Sequence, residues 1–485
     1  MSISTRPVIP GFNPDPSICR VGDDHYLVCS SFEYAPGVPV YHSTDLRDWR
    51  LIGHALDRPS QLPLGDAGAS GGVYAPTIRH HEGRFWLVTT NVGAGGGHLL
   101  VTSDEAAGPW SEPVSIPDAV GIDPDLAWDE AGTCFLTWSG LNASGDHAIV
   151  QAQLDPATGE LLSEPAWIWT GTGGRFPEAP HLYRIDGWWY LLVAEGGTER
   201  AHAATVARSR TPDGPFTASP LPPLVTARGT DSVVQSTGHA DLVQRPDGTW
   251  AMVFLGVRAR GMTPEWHVLG RETFAAEVHW SDGWPIRGAA IEPSVATAVD
   301  ERADGSTIPP DWCAPGRLPT EFVRPTAEGF EITAGSAERS FVGRRQQHLT
   351  FAARAAVDAS SGTGGIELRI DDRHAVTVTL GGGTARVVAH VGDLVAVLGE
   401  VPADGEEVLE VRATDFESVP ERLRTRRGPD QIVASIIGPD GPVELGRLDG
   451  RYLSTEVAGG FTGRFVGLVC SEGSVLVRSF EYTGP

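Results

Sequence analysis

Lysine is missing from this 485-residue chain, so every basic side chain is arginine or histidine. That excludes Schiff-base chemistry on a lysine and a P-loop lysine within the chain. Long apolar runs are missing too. Nothing approaches the roughly 18 consecutive apolar residues of a membrane-spanning helix. Positive charge is scarce: 37 Lys and Arg face 62 Asp and Glu, for a net charge of −25. A surface of that sign repels nucleic acid and anionic membrane and favours a neutral small molecule as ligand. Cysteine is rare and odd in number, at positions Cys19, Cys29, Cys134, Cys313 and Cys470, with no metal-site spacing. Buried free thiols in a reducing compartment are expected. Residues 1–10 carry no basic-then-apolar leader pattern, so a cytoplasmic location is expected.

No long segment holds a helical period. Instead 59 glycines and 37 prolines punctuate short apolar and aromatic runs, the pattern of many short antiparallel strands. One hairpin turn recurs. It reads Asp23-Asp24-His25-Tyr26-Leu27, Glu82-Gly83-Arg84-Phe85-Trp86 and Ala131-Gly132-Thr133-Cys134-Phe135. It returns as Asp186-Gly187-Trp188-Trp189-Tyr190 and Asp247-Gly248-Thr249-Trp250-Ala251. An Asp-Gly type pair before alternating large residues is a strong hairpin signal. A repeat of roughly 50–60 residues in an all-β chain predicts propeller blades, here five. Ser43 to Trp49, Ser103 to Trp110 and Ser209 to Phe216 add a second recurring turn with a terminal aromatic.

Nine residues before the second turn residue of each hairpin stand Asp15, Tyr74, Asp123, Glu178 and His239. In a propeller the first strand of each blade lines the central channel. Equal offsets therefore bring these five side chains around one axis. A lone Asp or Glu at a strand start is ordinarily a turn cap. Three acids at the same offset favour a site instead.

Thirteen of the fourteen tryptophans precede residue 300. That shift predicts a five-bladed β-propeller over 1–299, an Asp-, Pro- and Gly-rich linker over 300–318, and a β-sandwich over 319–485. The Arg424-Thr425-Arg426-Arg427 cluster reads as a solvated face.

Glycoside cleavage needs a carboxylic acid to protonate the leaving oxygen. It needs a second carboxylate across the sugar as base or nucleophile. A third acid nearby raises the pKa of the first. His239 and Arg271 are candidates to orient groups or neutralise charge. The same cluster would also suit a hard cation, so a channel Ca2+ near His239 is a candidate passenger, though no cofactor is required for the chemistry.

Specific motifs then carry a resemblance. Gly11-Phe12-Asn13-Pro14-Asp15-Pro16, Ser31-Phe32-Glu33-Tyr34-Ala35-Pro36 and Gly72-Val73-Tyr74-Ala75-Pro76 are among them. So are Gly121-Ile122-Asp123-Pro124-Asp125, Glu178-Ala179-Pro180-His181, Ala194-Glu195-Gly196-Gly197-Thr198, Thr237-Gly238-His239-Ala240-Asp241 and Leu269-Gly270-Arg271-Glu272. Together they resemble glycoside hydrolase family 43, in its β-xylosidase/α-L-arabinofuranosidase branch. Arg344-Arg345-Gln346-Gln347-His348 and Glu456 to Gly463 resemble that branch's lectin-like C-terminal sandwich. The resemblance implies an inverting, exo-acting enzyme that releases terminal xylose or arabinofuranose from xylo- or arabinoxylo-oligosaccharides. It implies Asp15 as general base, Glu178 as general acid and Asp123 as the group that tunes the acid. It also implies Phe32, Arg58, Tyr74, Thr198, His239, Arg271 and, from the sandwich, Phe461 as sugar-binding residues. Tyr74 stands where xylosidases of the branch often carry Trp, which pulls toward arabinofuranose. Asp125 stands where Ser is common. Fructan hydrolysis on the same architecture would call for Trp-Met-Asn-Asp-Pro-Asn-Gly and Arg-Asp-Pro motifs, which are not present. A propeller that only binds carbohydrate would be expected to have lost an axial acid, and all three remain. A homo-oligomer is left open.

Overall fold

The computed structural model describes residues 3–485 except 66, 94–96, 262–263, 295–298, 336–338 and 416–427. The Arg424–Arg427 cluster lies outside the described residues. The chain divides into two compact units, 1–9, 13–258 and 271–294 in one, and 10–12, 259–270 and 295–485 in the other. No helix among the described residues is long and apolar enough to cross a membrane.

The first unit is a propeller of five antiparallel sheets. Their first strands are Ser17–Val21, Thr77–His81, Ile122–Trp128, Glu178–Ile185 and Val234–Gln244. Each is followed by its hairpin partner, Asp24–Val28, Arg84–Thr90, Cys134–Leu141, Trp188–Glu195 and Trp250–Arg258. The five recurring turns read from the sequence are the connections between these pairs. First strands of different blades meet one another, so they form the innermost ring.

Apolar residues fill the gaps between blades. Leu100, Leu126, Leu136 and Trp138 pack the second blade on the third, and Leu192, Val206, Leu242 and Phe254 pack the fourth on the fifth. The ring is closed by Ile18 and Leu27 of the first blade against Val243, Val253 and Ala275 of the fifth. Each such aliphatic or aromatic side chain contributes about 1.5–3 kcal/mol when fully buried. The blades thus hold the polar ends of their inner strands at fixed positions on the axis.

The second unit is a β-sandwich built on one long strand, Phe465–Gly484. It pairs with Gly362–Asp371 through its first half and with Phe351–Asp358 through its second. One core, including Phe330, Ile366, Leu368, Val411 and Tyr482, fills the space between the layers.

The domain division differs from the contiguous one expected. Residues 10–12 and 259–270 belong to the sandwich unit, the second as an excursion between two strands of the fifth blade. The expected 300–318 linker begins as structure: Val299–Ala303 pairs antiparallel with Phe465–Gly484, from Val299 opposite Gly484 to Ala303 opposite Phe480. This strand is mostly exposed, so it lacks the alternation that marks a half-buried strand.

Candidate active site

The five equal-offset residues sit where the innermost strands begin or are irregular. The ladder shifts between Ile122 and Asp125, between Glu178 and His181, and twice between Gln235 and Asp241. A bulge bends the strand and re-aims the side chain at its break. Asp15, Asp123 and His239 take left-handed φ values of 54°, 56° and 47°, and Ala179 beside Glu178 takes 50°. Such conformations cluster at functional sites, where surrounding structure holds the strain. Gly121 is required just ahead of Asp123: a Cβ there would stand 2.0 Å from the Ser139 carbonyl oxygen.

Asp15 is the best-anchored carboxylate. Its Oδ1 lies 2.7 Å from Arg271 Nη1 and 3.5 Å from His239 Nδ1, and Oδ2 accepts from Ser30 Oγ at 2.6 Å. Burial alone would raise its pKa, but Arg271, then His239 and the hydrogen bond from Ser30, help bring it below the ordinary value. Asp15 is therefore ionised in any neutral buffer.

The other two acids move the opposite way. Burial, then the charge of Asp15, pushes Asp123 up, although its Oδ2 accepts from Ala179 N at 3.1 Å. Burial, then the charges of Asp123 and Asp15, pushes Glu178 well up. The physical cause is simple: two buried acids and the partly buried Glu178 share one guanidinium, and Arg271 is committed to Asp15. Glu178 keeps 20% of its side chain exposed, so a leaving group can reach it. The arrangement holds one carboxylate ionised and one carboxyl protonated in a single pocket.

The remaining contacts tie aromatic and polar side chains together around Asp15. Phe32 and Tyr74 lie ring to ring at 5.0 Å, and the Arg271 guanidinium stands 5.7 Å from the Phe32 ring. Tyr74 OH donates to the Ser70 carbonyl at 3.0 Å, and Arg271 Nη1 donates to Thr198 Oγ1 at 3.3 Å. Burial lowers the pKa of His239 to about 3, so its ring is neutral.

Arg58 does not join this group. It follows the outermost strand of the first blade, Arg50–Leu56, and its Nη2 donates to the Trp110 carbonyl at 2.8 Å and to Glu112 Oε1 at 2.9 Å. Phe461 lies in the sandwich unit and is 37% exposed.

Sequence reasoning missed His202 and Ser30. His202 is buried, with Nδ1 3.1 Å from the Ser236 carbonyl and Nε2 4.0 Å from Glu178 Oε1. Burial lowers its pKa to about 4, so it too is neutral. Its ring packs on Gly238, where a Cβ would meet it at 2.6 Å. Neither residue falls at the repeat offset, so no sequence signal singles them out. Glu195, inside one of the family-like motifs, proves to be a brace. It accepts from Thr172 N, Gly174 N and Thr205 Oγ1 at 2.7–2.9 Å and fixes the loop that leads into Glu178.

A divalent cation near His239 is not what these residues fit. The channel beside it holds the Arg79 guanidinium, at 2.6 Å from Asp125 Oδ1 and 2.9 Å from Asp241 Oδ2. A second positive charge there would be repelled, and its ligands are already taken. No cluster of three His, Cys, Asp or Glu side chains able to hold a metal occurs among the described residues.

Comparison with known proteins identifies the family of the chain. Residues 4–285 match the model of glycosyl hydrolases family 43, and residues 328–479 match the beta xylosidase C-terminal concanavalin A-like domain. A non-reducing end alpha-L-arabinofuranosidase of Bacteroides ovatus is 36% identical over 96% of this chain and 91% of that protein. A xylosidase/arabinosidase of Butyrivibrio fibrisolvens is 46% identical over 62% of this chain and 59% of its own length. The crystal structure of a xylan beta-1,4-xylosidase from Bacillus halodurans superposes with a TM-score of 0.87 at 27% identity, over 100% of both chains.

Proposed function

This chain belongs to glycosyl hydrolase family 43 and is a glycosidase, and from that premise we propose that it is an inverting, exo-acting enzyme on hemicellulose oligosaccharides. It releases terminal β-D-xylose, α-L-arabinofuranose or both. The observation that carries this reading is the gathering of Asp15, Asp123 and Glu178 at the starts and breaks of the innermost strands, with Asp15, alone of the three, paired to Arg271. Asp15, ionised beside Arg271, is suited to take a proton from an attacking water. Glu178, protonated through burial and its acidic neighbours, is suited to give one to the departing oxygen. Asp123 shares the pocket and its charge keeps the Glu178 proton in place. Phe32, Tyr74, Thr198, His239 and Arg271 surround the sugar.

The test is hydrolysis of nitrophenyl-β-D-xyloside and nitrophenyl-α-L-arabinofuranoside. Turnover of at least one is expected, and inactivity on both overturns the pentosidase reading. A second reading, mainly arabinofuranosidase, is favoured by Tyr74 and by the name of the Bacteroides ovatus relative. A kcat/KM ratio at least tenfold in favour of the arabinofuranoside would establish it.

Because Arg79 fills the channel, dialysis against EDTA is expected to leave Tm and kcat unchanged. A drop in either that Ca2+ restores would contradict that. The five cysteines are all buried free thiols, which supports placing the enzyme in a reducing compartment.

A further inference from the structure

Below the carboxylates lies a second ring of buried polar residues that the chemistry above does not use. It takes one or more members from every blade: Ser17, Arg79, Asp125, His181 with Tyr183, and Asp241. Arg79 is the hub. Its Nη1 donates to Asp241 Oδ2 at 2.9 Å, and its Nη2 donates to Asp125 Oδ1 at 2.6 Å and lies 2.9 Å from His181 Nδ1. Asp241 Oδ2 also accepts from Ser17 Oγ at 2.7 Å and Ile18 N at 2.9 Å, and its Oδ1 accepts from Tyr183 OH. Asp125 Oδ2 accepts from Leu182 N at 2.8 Å, and Ser17 Oγ accepts from Ile78 N at 3.1 Å. Asp125 and Asp241 are wholly buried, and the one Arg79 guanidinium pairs with both, the rest of their oxygen sites being met by hydrogen bonds from Tyr183, Ser17, Ile18 and Leu182.

The ring is in register with the site. Ser17 lies two residues after Asp15, Asp125 two after Asp123, Asp241 two after His239 and His181 three after Glu178. In the third, fourth and fifth blades the ring residue stands just past the break in the ladder that follows the site residue. A single guanidinium thus ties together the strand ends that carry all three carboxylates. The His181 and His239 rings also meet at 6.4 Å, and His239 touches Asp15.

We propose that Arg79 is a positioning residue, the fork that sets the spacing of Asp15, Asp123 and Glu178 through the buried ring beneath them. Without it, two desolvated carboxylates would face each other and the inner strands would spread. An error near 1 Å in such a site costs about a hundredfold in rate. This inference rests on those acids being the catalytic groups, a reading that wild-type turnover and its loss in Asp15→Asn test separately.

The structure also supplies the means of testing it. A cavity of about 320 Å³, lined by Arg79, Ile18, Tyr183, Leu242 and Trp250 among others, offers a small cation access to the vacated position. Arg79→Ala is expected to lose about a hundredfold in kcat with KM changed less than about threefold, since sugar contacts are not removed. Guanidinium ion at low, non-denaturing concentration should restore a large part of kcat, and methylammonium at equal ionic strength should not, because only the planar fork spans both carboxylates. A folded Arg79→Ala with wild-type kcat overturns the proposal. So does a loss that guanidinium does not restore and that follows the unfolded fraction seen by thermal melting. If Arg79→Ala does not fold, Arg79→Lys decides. It keeps the charge without the fork and is expected to lose at least tenfold in kcat; unchanged kcat overturns the proposal.

Discussion

Asp15→Ala is expected to abolish turnover on every substrate, with kcat reduced by about a thousandfold or more, at the upper end of what general-base assistance supplies. The loss should not depend on the leaving group, because the water must be deprotonated whichever aglycone departs. Truncation also leaves Arg271 buried without its nearest carboxylate, which costs stability of about 3–5 kcal/mol. Asp15→Asn separates the two effects. With its oxygen toward Arg271 and its NH2 donating to Ser30 Oγ, the amide can keep a hydrogen bond to both native partners while losing the charge. A folded Asp15→Asn with the same loss of kcat assigns the effect to the missing base. Retained hydrolysis in either variant would remove Asp15 from the chemistry.

Glu178→Ala is expected to divide substrates by leaving group. On unactivated oligosaccharides kcat should fall about a thousandfold. On an activated aryl pentoside the fall should be far smaller, because a good leaving group needs no proton. The pH profile gives a second readout. Asp15 must be ionised, and its pKa is lowered against burial by Arg271 foremost with its other neighbours, so the acid limb of kcat/KM lies below the ordinary carboxylate range. Glu178 must be protonated, and burial with its acidic neighbours raises its pKa, so activity falls as pH climbs through that raised value. In Glu178→Ala, assayed on the activated substrate, that alkaline limb should vanish. Equal losses on both substrates would move the acid role elsewhere.

Much of this site was legible in the sequence because the blade is a repeat. A constant offset from a recognisable turn is also a constant position on an innermost strand. Asp15, Tyr74, Asp123, Glu178 and His239 all follow that logic and converge as expected. Arg271 and Thr198 are off the offset; they were carried by family-like motifs, and the structure joins both to Asp15's network. Arg58 was carried the same way, and its guanidinium is found against Glu112 and the Trp110 carbonyl. His202 and Ser30 were invisible, since both act from positions without a repeat equivalent. Asp125 was visible as a departure from the family pattern but had no partner until folding placed Arg79, from another blade, against it. The start of the linker was less legible, for a different reason. Val299–Ala303 is an exposed strand whose partner is the far C-terminus, and its Asp- and Glu-rich stretch has the composition of a linker.

The most direct test of the two-acid account is proton NMR of the sugar at the moment of release. If Asp15 activates water while Glu178 protonates the leaving oxygen, displacement occurs in one step and inverts the anomeric carbon. A β-xyloside should then yield α-xylose as the first anomer, with β-xylose appearing only through mutarotation. First appearance of β-xylose would mean two displacements through a covalent intermediate. It would make one of these carboxylates a nucleophile and contradict the roles assigned to them.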